Sequence, residues 1–350
     1  MTLRRVQAVL LLSVLAVSVL LTWRPTPLGA EERPRWTIEQ LLDLNARPFA
    51  IAHHGFGANL GEDPTRPIEN TLAAVRRGFR AGASVVEIDV QLTKDGHVVL
   101  YHDDFLPDFT CLHTLTLEAL RARVPSISTL RAVLDLAREV NARSRTLGGL
   151  MIVELKAPSP LCDPDDTQEQ AIVDAVVKVI RAARMTNQVF VNSFSPALLL
   201  LMKEVAPEIP RDLGIAGLQF LTADEVTAVL KLPVKLIDKK IAVGLQWAEI
   251  GQLFRLPGYT SLNDVVATVA ALEARIVEAD LDFLDVAGLP AVAALQELGL
   301  KVLGETATTP DEWFFLQSLG VDGIYVDDVP FGVAHEAPLP QRGTRPFDRR

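Results

Sequence analysis

The sequence predicts an α/β protein of the (β/α)8 class, a TIM barrel, on three observations. Beyond residue 48, apolar runs of strand length alternate with longer runs of helical period. Eight such β/α units fit within about 280 residues, close to the usual size of that barrel. Of the 350 residues 49% are hydrophobic and 22% charged, so the chain can bury a sizeable core. A doubly wound open sheet shares the same alternation, and periodicity does not show closure.

The expected strands are 49–53, 84–92, 149–155, 189–194, 213–218, 282–286, 301–305 and 323–327. Helical stretches between them include 71–81, 130–140, 168–183, 196–205, 290–298 and 310–319. Two intervals, 103–128 and 219–275, are too long for simple connections and read as insertions over the catalytic face, where barrel strands end. The first 30 residues stand apart. Arg4 and Arg5 precede an apolar run over residues 6–23, which reads as a signal peptide or as an uncleaved membrane anchor. Either reading places the rest of the chain outside the cytoplasm. Residues 31–48 then read as a linker, 49–332 as the barrel and 333–350 as a tail.

Charge and cysteine content exclude several classes. With 34 Lys and Arg against 44 Asp and Glu, the net charge of -10 offers no attraction to nucleic acid or anionic lipid. Two cysteines, neither in a C-x-x-C, exclude a disulfide-dense scaffold and disfavour structural zinc.

The informative polar residues sit where strands end. In residues 85–92, alternation sends Val86, Ile88, Val90 and Leu92 to one face and Glu87, Asp89 and Gln91 to the other. A barrel strand is buried on both faces, so two carboxylates then point into the barrel mouth. Asp95-Gly96 reads as a two-residue hairpin loop, with Lys94 opposite His97 and Asp89 opposite His102. Glu154 and Lys156 share a face at the end of another apolar strand. Three carboxylates without a cysteine make a hard-oxygen site, suited to one divalent cation, Mg2+ or Ca2+. Lys156 meets a substrate anion or pairs with Glu154. His53-His54-Gly55 closes the first strand, and the spacing of Gly55, Gly57 and Gly61 does not suit a dinucleotide loop. Glu69-Asn70-Thr71 opens a helix, with Asn70 or Thr71 as cap and Glu69 placed to orient a histidine or a metal ligand.

His53-His54-Gly55, Glu69-Asn70-Thr71, Glu87-Ile88-Asp89, Thr93-Lys94-Asp95-Gly96, His102-Asp103, Glu154-Leu155-Lys156, Ser193-Phe194 and Gly320-Val321-Asp322-Gly323-Ile324 occur in one order. In that order the chain resembles the glycerophosphodiester phosphodiesterases over residues 49–330. The resemblance implies a TIM barrel that hydrolyses glycerophosphodiesters to glycerol phosphate and an alcohol, using one divalent metal. It implies Glu87, Asp89 and Glu154 as metal ligands and His53 and His102 as the acid/base pair, their individual roles left open.

Two positions depart from the family pattern. His54 stands where most relatives carry Arg, which replaces a permanently charged phosphate contact by a titrating one. Glu305 stands where the family usually has Trp, and a carboxylate there would favour a cationic alcohol such as choline; pairing with a basic residue of the 219–275 insertion is the structural alternative. Cys111 and Cys162 each follow a catalytic strand end, so a disulfide between them is expected in an oxidising compartment. The expected partner is a small glycerophosphodiester or a lysophospholipid, with the membrane engaged through the N-terminal segment if it is retained. A phospholipase D-like enzyme releasing cyclic phosphate, and a tethered protein that binds without catalysis, are the rival readings.

Overall fold

The computed structural model describes residues 35–159, 161–165, 167–220 and 257–341. The leader, most of the 219–275 insertion and the end of the tail lie outside the described residues. Among the described residues nine strands form one sheet: β1 (Phe49–Ala52), β2 (Val85–Leu92), β3 (Val98–Leu100), β4 (Leu150–Leu155), β5 (Val189–Ser193), β6 (Arg211–Ile215), β7 (Ile276–Asp280), β8 (Lys301–Ala307) and β9 (Gly323–Val326). Eight of them run parallel. The sheet closes because β1 pairs with β9 on one side and with β2 on the other, where Ile51 lies opposite Val85. Closure excludes the open doubly wound sheet.

Alternation along the strands builds two cores. Val86, Ile88 and Val90 face outward and pack under the surrounding helices. Val85, with Phe49, Ile51, Leu150, Ile152, Phe190 and Ile276, fills the barrel interior near the strand starts. Of the segment 31–48, residues 35–48 are described. Within them Trp36 and the helix Ile38–Leu42 seat Trp36, Ile38, Leu41 and Leu42 on that interior core. Burying Leu41 alone contributes about 1.5–3 kcal/mol. The inner apolar floor leaves the upper barrel to polar side chains.

Three expectations about elements are corrected. The strand placed at 282–286 is helix, and β7 lies earlier at Ile276–Asp280. Asp280 caps that helix, its carboxylate accepting from the Phe283 amide at 2.8 Å, so the apolar residues after it are helical rather than extended. The strand at 213–218 begins at Arg211 instead, because its guanidinium satisfies the carbonyls of Leu272 and Ile209 and makes a buried arginine tolerable. The hairpin loop has three residues, not two. Gln91 pairs with Val99, and Gly96 takes the left-handed conformation (φ 79°) that a three-residue loop requires. Asp89 therefore lies opposite Tyr101, whose amide donates to its carbonyl. His102 still approaches the site, since the ladder ends at Leu100 and alternation no longer governs it.

The 103–128 insertion carries a small core of its own, in which Leu106, Leu112, Leu117, Leu120 and Ile127 pack on Val99. Among the described residues no helix is long and apolar enough to cross a membrane.

Candidate functional site

Parallel pairing of β2 with β4 sets Asp89 directly beside Glu154, and Glu87 lies one step below on the same face. All three carboxylates are buried, and one oxygen of each lies within 4.8 Å of the others. Their remaining contacts orient them. The His54 amide donates to Glu87 Oε2 at 2.8 Å. Asn70 grips Asp89 twice, donating from Nδ2 to Oδ2 (2.8 Å) and accepting the Asp89 amide on Oδ1 (2.9 Å). Lys156 Nζ lies 2.6 Å from Glu154 Oε1 and 3.1 Å from Asp89 Oδ1.

Such crowding has an electrostatic consequence. Burial, then the charges of Asp89 and Glu154, push Glu87 well above the carboxylate range. Burial likewise pushes Glu154 up to about 7, although Lys156 opposes it. Asp89 runs the other way: burial would raise it, but Lys156, His54 and His102 hold it well below its usual value. Glu87 Oε1 is buried without a hydrogen bond, and Asp89 Oδ1 is met by Lys156 Nζ at 3.1 Å. An unpartnered buried carboxylate oxygen in an oxygen-only cluster fits a hard divalent cation, which would let all three ionise together.

Two imidazoles flank this cluster. His53, at the end of β1, directs Nδ1 at Asp327 Oδ1 (2.8 Å), and its Nε2 lies 3.8 Å from Glu305 Oε1. Burial alone would lower the His53 pKa, but Asp327 and Glu305 raise it above its ordinary value. His102 directs Nδ1 at Asp103 Oδ1, also at 2.8 Å, and is far more exposed. Each imidazole thus has a carboxylate on Nδ1, which fixes the ring and presents Nε2 for proton transfer.

His54 lies between them, its ring centroid 3.7 Å from that of His53 and 5.5 Å from that of His102. It is buried, with Nε2 3.1 Å from Asp89 Oδ2 and Nδ1 3.4 Å from Glu69 Oε1. Glu69 Oε1 thus faces the His54 ring, and Thr71 caps the helix through the Ala74 amide. Glu305 reaches the mouth from β8, in register with Asp280.

Sequence reading passed over Asp327 and a buried polar layer, and gave Asn70 only a capping role. Asp327 follows β9, and its only local signal is a carboxylate at a barrel strand end. Asn70 was read as a possible cap, whereas its left-handed backbone (φ 51°) turns the side chain to Asp89. Below the mouth, Asn192, Asp212, Glu278 and Tyr325 form a buried polar layer, with Asn192 Nδ2 donating to Glu278 Oε2 at 3.1 Å. Burial pushes Asp212 up to about 8, and burial with the charges of Glu305 and Asp212 pushes Glu278 well above its range, so this layer favours neutral carboxyls.

Cys111 and Cys162 are joined by a disulfide. It ties the loop that begins at His102-Asp103 to the loop that follows β4, where Asp104 Oδ2 also accepts the Ser159 amide at 2.6 Å. Thiol titration of denatured, unreduced protein is expected to find no free thiol. Reduction should lower the unfolding free energy by up to about 4 kcal/mol for the separation of 51 residues, read from urea midpoints. Two titrating thiols would refute the pairing.

The Glycerophosphoryl diester phosphodiesterase family model matches residues 53–330. The glycerophosphodiester phosphodiesterase of Caldanaerobacter subterraneus subsp. tengcongensis is 29% identical over 181 residues, covering 47% of this chain and 65% of the relative. The matched stretch is therefore just under two thirds of that relative's length. A provisionally assigned glycerophosphoryl diester phosphodiesterase from Silicibacter pomeroyi aligns with a TM-score of 0.63 at 22% identity, covering 86% of this chain and 96% of that one. A phosphodiesterase from Oleispira antarctica, solved with the product sn-glycerol-3-phosphate, aligns with a TM-score of 0.54 at 21% identity, covering 82% and 96%. At these identities the two structures speak for the barrel, and the family match spans the site residues from His53 to Asp327.

Proposed function

The chain belongs to the Glycerophosphoryl diester phosphodiesterase family, and from that premise we propose that it hydrolyses glycerophosphodiesters to glycerol 3-phosphate and an alcohol through His53 and His102. The observation that carries this reading is the juxtaposition of three buried carboxylates with two carboxylate-oriented imidazoles at one barrel mouth. The Oleispira neighbour's bound product supports the product assignment.

A phosphodiester monoanion resists attack because its charge repels nucleophiles. A divalent ion held by Glu87, Asp89 and Glu154, Mg2+ or Ca2+, would supply charge stabilisation at the phosphoryl oxygens. The protein's own groups move the protons. Asp327 is held ionised by its bond to His53, although burial opposes this, so it accepts from Nδ1–H and leaves the Nε2 lone pair toward the substrate. One imidazole accepts the proton of the attacking hydroxyl while the other protonates the departing oxygen, and the roles reverse when water completes hydrolysis. Lys156 adds positive charge beside the carboxylates. Enzyme-coupled detection of glycerol 3-phosphate from several diesters, with EDTA and with added Ca2+ or Mg2+, tests the proposal. No release under any ion condition would refute it, and accumulation of cyclic phosphate would point to the phospholipase D-like alternative.

Glu305 bears on the alcohol. Its carboxylate lies beside the catalytic nitrogen of His53, where an anionic substrate gains if its alcohol carries a compensating cation. Glu305→Gln should lower the kcat/KM ratio of choline to inositol diester by about 5-fold, the equivalent of ~1 kcal/mol in a partly desolvated site. An unchanged ratio would eliminate cation selection.

The location outside the cytoplasm is part of the same proposal, supported by the basic-apolar leader and by the disulfide. A reporter active only outside the cytoplasm, fused after residue 48, should be active; an inactive fusion would contradict it.

A further inference from the structure

We infer that His54 is a positioning residue for the carboxylate cluster and not a phosphate contact. This rests on the reading of Glu87, Asp89 and Glu154 as ion ligands. The ring of His54 has two polar atoms, and both face carboxylates: Nε2 faces Asp89 Oδ2 at 3.1 Å and Nδ1 faces Glu69 Oε1 at 3.4 Å. Its backbone amide binds Glu87 Oε2 at 2.8 Å. One residue thereby touches two of the three ligand side chains; Nδ1 is buried against Glu69 without a hydrogen bond and Nε2 is turned to Asp89, so neither ring nitrogen is presented to a phosphate oxygen.

The surroundings hold His54 in that pose. Glu69 Oε2 accepts the Asn59 amide at 2.7 Å, and Asn59 Nδ2 binds the carbonyls of Asp63, Arg66 and Pro67, so the loop behind the imidazole is braced. The His54 carbonyl accepts the Asn70 amide at 2.9 Å, which couples it to the residue that grips Asp89 from the other side. His54 also adopts a left-handed backbone (φ 47°), uncommon for a residue with a side chain and found where tertiary contacts over-determine a functional position. Nε2 shares Asp89 Oδ2 with Asn70 Nδ2, so both groups anchor the same oxygen, and Oδ1 lies on the side of Lys156 Nζ, 3.1 Å away. Groups that orient ligand side chains in this way typically govern affinity by about 10–100-fold.

The test compares full-length wild type with His54→Phe, which keeps the ring stack but has no ring nitrogen, and His54→Gln, which keeps one donor toward Asp89. Calorimetric titration with Ca2+ and with Mg2+ gives the ion affinity, and diester kinetics at saturating ion give KM. The phenylalanine variant should bind the ion at least 10-fold more weakly, with KM for the diester nearly unchanged, and the glutamine variant should fall between. Glu69→Gln should shift ion affinity in the same direction by less. If the phenylalanine variant fails to fold, as judged by circular dichroism, the glutamine variant decides by the same comparison. Ion affinity unchanged in the folded variants overturns the inference, most directly if KM rises 10-fold or more, the signature of a lost phosphate contact. A wild type that binds neither ion overturns the ion-ligand reading and this inference with it, whereas ion binding unaffected by His54 overturns only the inference.

Discussion

Replacing Glu87, Asp89 or Glu154 by Ala is expected to reduce ion-dependent turnover to background, a loss of about 1,000-fold or more if the ion contributes several kcal/mol of charge stabilisation. The three carboxylates are buried together, and burial with mutual repulsion lifts Glu87 well above its range and Glu154 to about 7. They ionise together only against a compensating cation, and two carboxylates compensate a divalent ion less well than three. Folding can be separated from this effect. Without an ion, burial and the neighbouring carboxylates favour the neutral form of Glu87, which Glu87→Gln mimics, so this variant should shift the melting temperature of EDTA-treated protein by no more than about 2 °C. Calorimetry with Ca2+ and Mg2+ on each variant reads the ligand role directly. Unchanged ion affinity in all three would remove them as ligands.

His53→Ala and His102→Ala should each lower kcat by about 100-fold or more at unchanged ion affinity, the usual cost of losing a general acid or base. Near-normal turnover in both would sink the acid/base assignment. Asp327→Asn should cost less and carry a pH signature. Burial pulls the His53 pKa down while Asp327 and then Glu305 push it up, with a net rise. Removing the Asp327 charge takes away part of the upward push, so the limb of the kcat/KM profile that reports His53 should move to lower pH. A limb that stays in place, or moves to higher pH, would deny Asp327 that role.

How much of this could be read before folding differs from residue to residue. Glu87 and Asp89 were legible as an inward pair because alternation along a strand is local and a strand covered on both faces has no solvent side for carboxylates. Glu154 was legible for the same reason, and the helices 196–205 and 310–319 have the predicted bounds because proline at their first turn marks the start. β7 was misplaced because Leu281 to Val286 is apolar enough for either state, and the Asp280 cap decides it.

What the chain determines by itself is therefore the set of eight units, the residues that must point inward and the order in which they arrive at the rim. Folding decided the rest. The pairing of His53 with Asp327 joins residues 274 apart, and no local period reports it. The grip of Asn70 on Asp89 depends on one left-handed residue after the first βα loop. His102 reaches the cluster despite a register one residue away from the expected one, because the strand ends before it and the disulfide-tied loop carries it the remaining distance. Inward direction follows from the pleat of a single strand, whereas which inward groups meet follows from closure of the barrel, a contact between the first strand and the last.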